Sequence, residues 1–301
     1  MTRPLPVWRS LLYVPVNVER FVDRAHTRGA DCIQLDLEDS VPASEKANAR
    51  QLTAAAAARV RRGGADVVVR INRPLSLAVR DIEQVIGPDV DALAITKVEG
   101  ATHVRLLDEL ASEVESRAGL PVGQTRFIVM IETPQSWFSM RDIAQASPRV
   151  VAMNIGGEDF ALACGMAPSD EALFMPKQQM IIAARAAGVM PLGYIGTVAD
   201  FSDWDRFRQM VQRSRTLGFD GASCIHPGQV AIVNEAYTPS ADEITYAHRV
   251  IAADQQARSE GRASFQIDGR MIDIPVVTRA ERLLARAQAI AARRRAFSSI
   301  Q

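Results

Sequence analysis

Cysteine is scarce in this chain of 301 residues: Cys32, Cys164 and Cys224 are its only three, and they lie far apart. An odd, scattered set excludes a disulfide framework and fits a reducing compartment. Histidine is as thin: His26, His103, His226 and His248 form no i, i+4 pair, which leaves a histidine-based zinc site without a basis. Net charge is missing too, with 35 Lys+Arg against 35 Asp+Glu, so no overall field favours nucleic acid or an anionic membrane. The run Arg293-Arg294-Arg295 is local and reads as a solvated helix end. No apolar stretch approaches the ~20 residues that span a bilayer. The start, Met1-Thr2-Arg3-Pro4-Leu5-Pro6, lacks the apolar core of a secretory signal. Neither a G-x-x-x-x-G-K-S/T phosphate loop nor a G-x-S-x-G nucleophile elbow occurs. The expectation is a cytoplasmic soluble protein with no nucleic-acid or membrane partner.

What is present is a rhythm of apolar run, polar loop and amphipathic stretch. Short β-branched runs fall at 10–14, 32–37, 67–71, 92–96, 127–131, 150–155, 189–192 and 222–225. Between them, 18–27, 44–61, 101–117, 176–187 and 203–217 read as helices. Such alternation means βα units and a parallel sheet. Eight units over this length suit a (β/α)8 TIM barrel, an α/β fold. An open doubly wound sheet would need a glycine-rich turn after its first strand, yet Val14 runs into Pro15-Val16-Asn17. The barrel is therefore expected over 1–238. Beyond it, 241–260 reads as a helix, Asp268-Gly269 as a two-residue hairpin turn, and 277–297 as a final helix. The segment 239–301 is surplus to a barrel and is expected to be a C-terminal helical and hairpin lid that also serves oligomerisation.

The chemistry lies where the apolar runs stop. Phe127-Ile128-Val129-Met130-Ile131 ends in Glu132-Thr133-Pro134, and the run 150–155 ends in Gly156-Gly157-Glu158-Asp159. Asp36, Glu38 and Asp39 follow the second run, Arg70 and Asn72 the third, Lys97 and Glu99 the fourth, Ile225 and His226 the eighth. In a barrel these positions converge on the catalytic face. Burying charges there is costly unless they pair or bind a metal. Oxygen ligands from two neighbouring strands suit Mg²⁺, which takes one or two carboxylates and leaves other positions to water and substrate. Each residue also has a plainer reading. Glu132 suits a helix N-terminus after Thr133-Pro134, as do Glu158 and Asp159. Arg70 suits a structural pair with Asp36 or Glu38. Lys97 suits a Schiff base or a pair with Glu99 or Asp36. His226, before Pro227-Gly228, suits a loop anchor. On composition and spacing alone the reading stops at metal-assisted carbanion or carbonyl chemistry.

At these residues the sequence resembles the citrate lyase β-subunit-like family, within the HpcH/HpaI aldolase and citrate lyase superfamily. The pieces that carry the resemblance are Leu35-Asp36-Leu37-Glu38-Asp39-Ser40-Val41, Val69-Arg70-Ile71-Asn72, Lys97-Val98-Glu99, Ile131-Glu132-Thr133-Pro134, Gly157-Glu158-Asp159 and Ile225-His226-Pro227. The resemblance implies a barrel that assembles as a homotrimer or hexamer, with Mg²⁺ held by Glu132 and Asp159. It also implies that Arg70 grips a substrate carboxylate and that Asp273 is delivered by a neighbouring subunit's lid. Asp36, Ile225 and His226 would line the substrate, and Glu38 would join Asp273 and Arg70 in the catalytic set. The implied reaction is reversible cleavage of a β-hydroxyacyl-CoA of the malyl-, citramalyl- or citryl-CoA type, giving acetyl-CoA and a 2-oxo acid. The partners expected are thus a coenzyme A thioester and a 2-oxo acid. Alternatives are an aldolase on free 2-oxo acids and aldehydes, a malyl-CoA thioesterase, and a non-catalytic subunit of an acyl-carrier complex. Three departures stand out: Val16 where the family commonly has glycine, which is expected to narrow the coenzyme A channel, Thr96 before Lys97 where proline is usual, and the loop Gly193-Tyr194-Ile195-Gly196-Thr197.

Overall fold

A computed structural model describes residues 4–196, 203–262 and 264–298; Met1-Thr2-Arg3 and Thr197 lie outside the described residues. The chain divides into two compact units, Met1–Tyr237 and Thr238–Gln301.

The first unit is built on eight parallel strands: β1 (Ser10–Pro15), β2 (Cys32–Asp36), β3 (Asp66–Ile71), β4 (Ala92–Ile95), β5 (Arg126–Ile131), β6 (Val150–Ile155), β7 (Met190–Pro191) and β8 (Ala222–Cys224). They pair in the order β7-β6-β5-β4-β3-β2-β1-β8. The ring closes between β7 and β8 through a parallel bridge of Leu192 with Gly221. The Gly193 N–H donates to the Gly221 carbonyl at 2.8 Å, and the Asp220 N–H to the Pro191 carbonyl at 2.9 Å. Closure demands glycine at 221, because a Cβ there would sit 1.9 Å from the Trp8 carbonyl oxygen. The fold is the barrel expected, and the open sheet is excluded.

Strands buried on both faces need continuous apolar runs rather than alternation, which is why they were legible. The barrel interior is filled by Leu11, Cys32, Val68, Ala92, Ala94, Ile128, Met130, Ala152 and Met190, all buried. Two helical expectations need correction. The helix expected from residue 176 begins at Asp170, where the Ser169 hydroxyl caps the Ala172 N–H, and it carries Pro176 inside it. Burial of Leu173, Pro176, Met180, Ile181 and Ala184 along one face offsets the amide that proline lacks. Leu75–Val85, unforeseen after Asn72-Arg73-Pro74, is a full helix with Ala78, Ile82 and Val85 buried. No helix among the described residues is long and apolar enough to cross a membrane.

The second unit is a helix, Ala241–Ser259, then an antiparallel hairpin of β9 (Phe265–Ile267) and β10 (Arg270–Ile272), then a helix, Ile274–Ser298. Both turn residues have positive φ, 50° at Asp268 and 75° at Gly269, as a two-residue hairpin turn requires. The unit has its own small core of Ala247, Val250, Ile267, Ile272, Val277 and Ala280.

At the N-terminal ends of the barrel strands, charge is closed off in pairs. The Arg9 guanidinium and main-chain N–H hold Asp31, with Nε at 2.7 Å. The Trp8 indole donates to Asp66 at 2.6 Å. Arg149 donates to both Glu115 oxygens at 2.9 and 2.7 Å, to the Thr125 carbonyl at 3.0 Å and to Asp108. Charge pairing here serves stability, because barrel chemistry sits at the other end. Arg149→Met would strand the buried Glu115 carboxylate and cost about 3–5 kcal/mol, read as a lower urea midpoint with an unchanged m-value.

Candidate functional site

At the C-terminal ends of the strands the charges are arranged differently. Arg70, at the end of β3, donates Nε and Nη2 to the two oxygens of Asp36, each at 2.7 Å, and Nη1 lies 2.8 Å from Glu38. The guanidinium also lies over the Tyr13 ring, 4.9 Å from its centroid. Asp36 accepts further bonds from the Ser40 hydroxyl at 2.5 Å and the Glu38 N–H at 3.0 Å. Burial alone would raise the Asp36 carboxyl, but the Arg70 and Ser40 bonds outweigh it and hold the pKa below its ordinary value. Burial pulls the Arg70 guanidinium down, and the bonds to Asp36 more than reverse that. The loop carrying Glu38 is pinned by Lys46, whose ammonium donates to the Leu37 and Glu38 carbonyls at 3.0 and 2.9 Å and to Asn72 at 2.6 Å.

Three expectations are refined here. Asp36, placed among substrate-binding residues, lines the cavity, and both its oxygens accept bonds from Arg70, Ser40 and the loop, so that it also positions Arg70. Glu38, expected in the catalytic set, is 4 % exposed and is absent from the cavity wall. It stands behind Arg70 and pairs with Lys97 at 2.5 Å. Lys97 therefore takes neither Glu99 nor Asp36 as its partner, and Glu99 pairs instead with Arg73 at 2.6 Å.

The other half of the site is negative. Glu132, at the mouth of β5, is 2 % exposed. Its Oε2 accepts the Lys97 main-chain N–H at 2.5 Å. Lys97 adopts a left-handed φ of 47° to present that donor. Burial, joined by the charges of Asp159 and Glu38, pushes the Glu132 pKa up to about 7 against the opposing Lys97 bond. Gly156 leaves room for the carboxyl, since a Cβ there would fall 2.5 Å from Oε1. Asp159 sits in the first turn of the helix Gly157–Cys164, and it lines the same cavity as Glu132. Its charge bears on both Glu132 and Lys97. Among the described residues no group of three or more His, Cys, Asp or Glu side chains gathers as a metal cage. Two carboxylates, one of them buried without a cationic contact of its own, fit a hard divalent ion that keeps water and substrate as its remaining ligands.

The cavity measures about 900 Å³, ample for a small-molecule ligand. Ile225 and His226 line it. The His226 Nδ1 accepts the Gly228 N–H at 3.1 Å and caps the helix Pro227–Ala236, so anchoring is its structural task. Val16, expected to narrow the channel, is 3 % exposed and does not line the cavity; its side chain joins the core instead. Asp273 belongs to the second unit, just before the helix Ile274–Ser298, with Oδ1 accepting the Val276 N–H at 3.4 Å. Sequence reasoning missed Asn154, Gly156 and Lys177, all on the cavity wall. Lys177 had a signal: it falls on the apolar face 173, 176, 180, 184 of its helix, where a lysine has no ordinary reason to be.

A family model described as HpcH/HpaI aldolase/citrate lyase matches residues 9–227. The citrate lyase subunit beta of Leuconostoc mesenteroides subsp. cremoris is 34% identical over 284 residues, covering 93% of this chain and 93% of that protein. The (3S)-malyl-CoA thioesterase of Cereibacter sphaeroides is 33% identical over 288 residues, covering 95% and 96%. Among solved structures, the protein CitE of Mycobacterium tuberculosis, in complex with magnesium, acetoacetate and coenzyme A, aligns with a TM-score of 0.74 and 29% identity. That alignment covers 96% of this chain and 100% of that one.

The raised Glu132 pKa has a sign that can be checked. Without a cation, a carboxyl that folds into a pKa of about 7 contributes stability below its unfolded value, and that contribution is lost as pH rises towards 7. Relative to Glu132→Gln, the metal-free protein should lose roughly 3 kcal/mol between pH 4.5 and 8. Paired urea titrations at both pH values measure the difference, and saturating divalent cation at pH 8 should restore stability only in the parent.

Proposed function

The chain belongs to the HpcH/HpaI aldolase/citrate lyase family, and from that footing we propose that it is a Mg²⁺-dependent carbon–carbon lyase acting on a β-hydroxyacyl-CoA thioester. The products are acetyl-CoA, or a close acyl-CoA, and a 2-oxo acid. The observation that carries the reading is that the buried Glu132 carboxyl lines one cavity with Asp159 and the Arg70 fork, at the C-terminal end of a closed barrel. Coenzyme A fits the cavity margin, where Phe21, Arg24 and Arg28 are exposed. The two arginines lie four residues apart and have no ion-pair partner among the described residues, so they can meet phosphate groups.

Glu132 and Asp159 would hold the ion. Bound there, Mg²⁺ supplies Lewis-acid polarisation of the substrate oxygen that changes from hydroxyl to keto, worth several kcal/mol. Arg70, whose Nη1 also lies 3.5 Å from Asp39, is the group that would meet the substrate carboxylate. Asp36, Glu38 and the Tyr13 ring fix the plane of that fork, so orientation is set before substrate arrives. In the cleavage direction the carbinol hydroxyl would pass its proton to solvent water, and its oxygen becomes the keto oxygen as the bond to the thioester α-carbon breaks. Asp273 would give a proton to that carbon, and in condensation take one back while water returns the hydroxyl proton. The second unit is proposed as the lid that brings Asp273 to a neighbouring subunit's cavity in a homotrimer or hexamer. The cytoplasm is the proposed compartment, in keeping with three cysteines scattered along the sequence.

A coupled assay with malyl-, citramalyl- and citryl-CoA, with and without Mg²⁺, tests the reading. Acetyl-CoA and a 2-oxo acid should form only with the metal, and free coenzyme A as the first product would make the chain a thioesterase instead. Glu132→Gln and Asp159→Asn should each remove Mg²⁺-dependent turnover and leave the circular dichroism spectrum unchanged; full turnover in either excludes that residue as a ligand. Mixed oligomers of Asp273→Ala and Glu132→Gln subunits should regain activity that neither parent variant has. Silence in mixtures proven to co-assemble counts against a shared site.

A further inference from the structure

Beyond the ends of β2, β3 and β4, three carboxylates lie within ion-pair distance of two cations, and one of the three is surplus. Asp36 and Glu38 are buried. Asp36 is fixed by Arg70, by the Ser40 hydroxyl and by the Glu38 N–H, and Glu38 by Arg70 and the Lys97 ammonium. Those two anions already balance Arg70 and Lys97. Lys46, the next cation along the loop, is spent on the Leu37 and Glu38 carbonyls and on Asn72. The surplus charge is Asp39. Its main-chain N–H is tied to Glu38 at 3.2 Å, yet its carboxylate is 58 % exposed and loosely held. One oxygen lies 3.5 Å from Arg70 Nη1 and the other 3.8 Å from Lys97 Nζ. The crowding registers on Glu38, whose pKa is raised by burial first, and by the Asp39 charge, against the opposing pull of Arg70 and Lys97.

Asp39 lines the cavity together with Arg70. Asp36 occupies Nε and Nη2, and Glu38 faces Nη1. Both are enclosed, so Asp39 is the carboxylate on this guanidinium that an incoming anion can replace. An acid arriving at Arg70 with Asp39 still in place would meet a like charge, which is costly. Resting on the lyase reading for the identity of the acid, we propose that Asp39 is a displaceable counter-ion. It stands in for the substrate carboxylate on Arg70 while the site is empty, turns to Lys97 when the acid binds, and returns as the acid product leaves. The turn is a rotation of an exposed side chain that already has Lys97 within 3.8 Å. Asp39 is thus a positioning residue: the exchange keeps the Arg70 charge answered at every stage, and it weakens the hold on the acid product so that release is faster.

Calorimetric titration of the Mg²⁺-loaded protein with glyoxylate, pyruvate and oxaloacetate tests it without turnover. Asp39→Asn and Asp39→Ala should each tighten binding of the acids roughly fivefold, the effect of one exposed charge. Asp39→Glu keeps the charge and should stay within about twofold of the parent. Alanine guards against the asparagine amide acting as a new donor to the acid. In the coupled assay, KM for the cleaved thioester should fall in both neutral variants by a similar factor, with no rise in kcat. A residue that merely held the loop in shape would weaken binding when removed, never tighten it. Weaker or unchanged acid binding in Asp39→Asn and Asp39→Ala therefore overturns the proposal. If the parent binds the acids but cleaves no thioester, the lyase reading falls while the comparison of variants still decides the role of Asp39. If the parent binds none of the acids with Mg²⁺ present, both fall.

Discussion

One peptide unit holds the two halves of the site together. Lys97 sends its main-chain N–H to Glu132 and its ammonium to Glu38, so a single residue at the end of β4 bonds to the buried carboxylate at the mouth of β5 and to the carboxylate behind Arg70. It can do both only in the left-handed conformation it adopts, with φ at 47°. A non-glycine residue there carries a backbone penalty of about 1 kcal/mol or more. Two charge-assisted bonds to buried carboxylates outweigh that penalty. A glycine at 97 would relax the backbone and lose the ammonium, so the strain marks a position where the side chain and the conformation are needed together.

The two ends of the barrel use the same residue types to opposite effect. At the N-terminal ends, Arg9 with Asp31 and Arg149 with Glu115 and Asp108 neutralise each other within bonding distance. At the C-terminal ends the pairing is incomplete: among the described residues Glu132 has no cationic side chain within ion-pair distance, and Lys177 bonds to the Gly196 carbonyl with Glu158 and Asp170 only as more distant charges. Both groups line one cavity, and buried charges held in that way are unfavourable until a complementary group enters. This is why burial raises the Glu132 pKa and lowers the Lys177 pKa to about 8: each group lacks the partner that would hold its charge.

The fold was legible because parallel strands buried on both faces write themselves as uninterrupted apolar runs, and because each of the runs 127–131 and 150–155 stops at an acid. Glu132, Asp159 and Arg70 fell out of that rule. Element edges were less legible: β7 is only Met190–Pro191, since the chain there is shaped by closure of Leu192 onto Gly221, a contact distant in sequence that local pattern does not encode. The helix at Asp170–Ala187 was misread at its start because Pro176 looks like a first-turn residue, whereas Ser169 supplies the cap. Lys97 was assigned the wrong partner because sequence proximity favoured Glu99, while the barrel's curvature brings Glu38 across from β2. Gly156 and Asn154 were invisible for a related reason. Their importance lies in what they leave open or unbonded, and an absence of contact has no sequence signature.

Arg70 illustrates how the incomplete pairing and the complete pairing depend on each other. A guanidinium has five N–H groups in one plane, and the bonds to Asp36 and Glu38 use three of them while the Tyr13 ring packs against its face. Nη1 also lies 3.5 Å from Asp39, and the guanidinium stands in a fixed plane on the cavity wall. A lysine could satisfy Asp36 as a point charge, yet it could not hold Asp36 and Glu38 together through one planar group. Because Asp36 is itself held by Ser40, and the Glu38 loop by Lys46 and Asn72, the fork loses little freedom when a carboxylate arrives. The binding energy gained there is then available for orienting the scissile bond. The paired residues make that side of the site rigid, and the unpaired ones opposite give it something to bind.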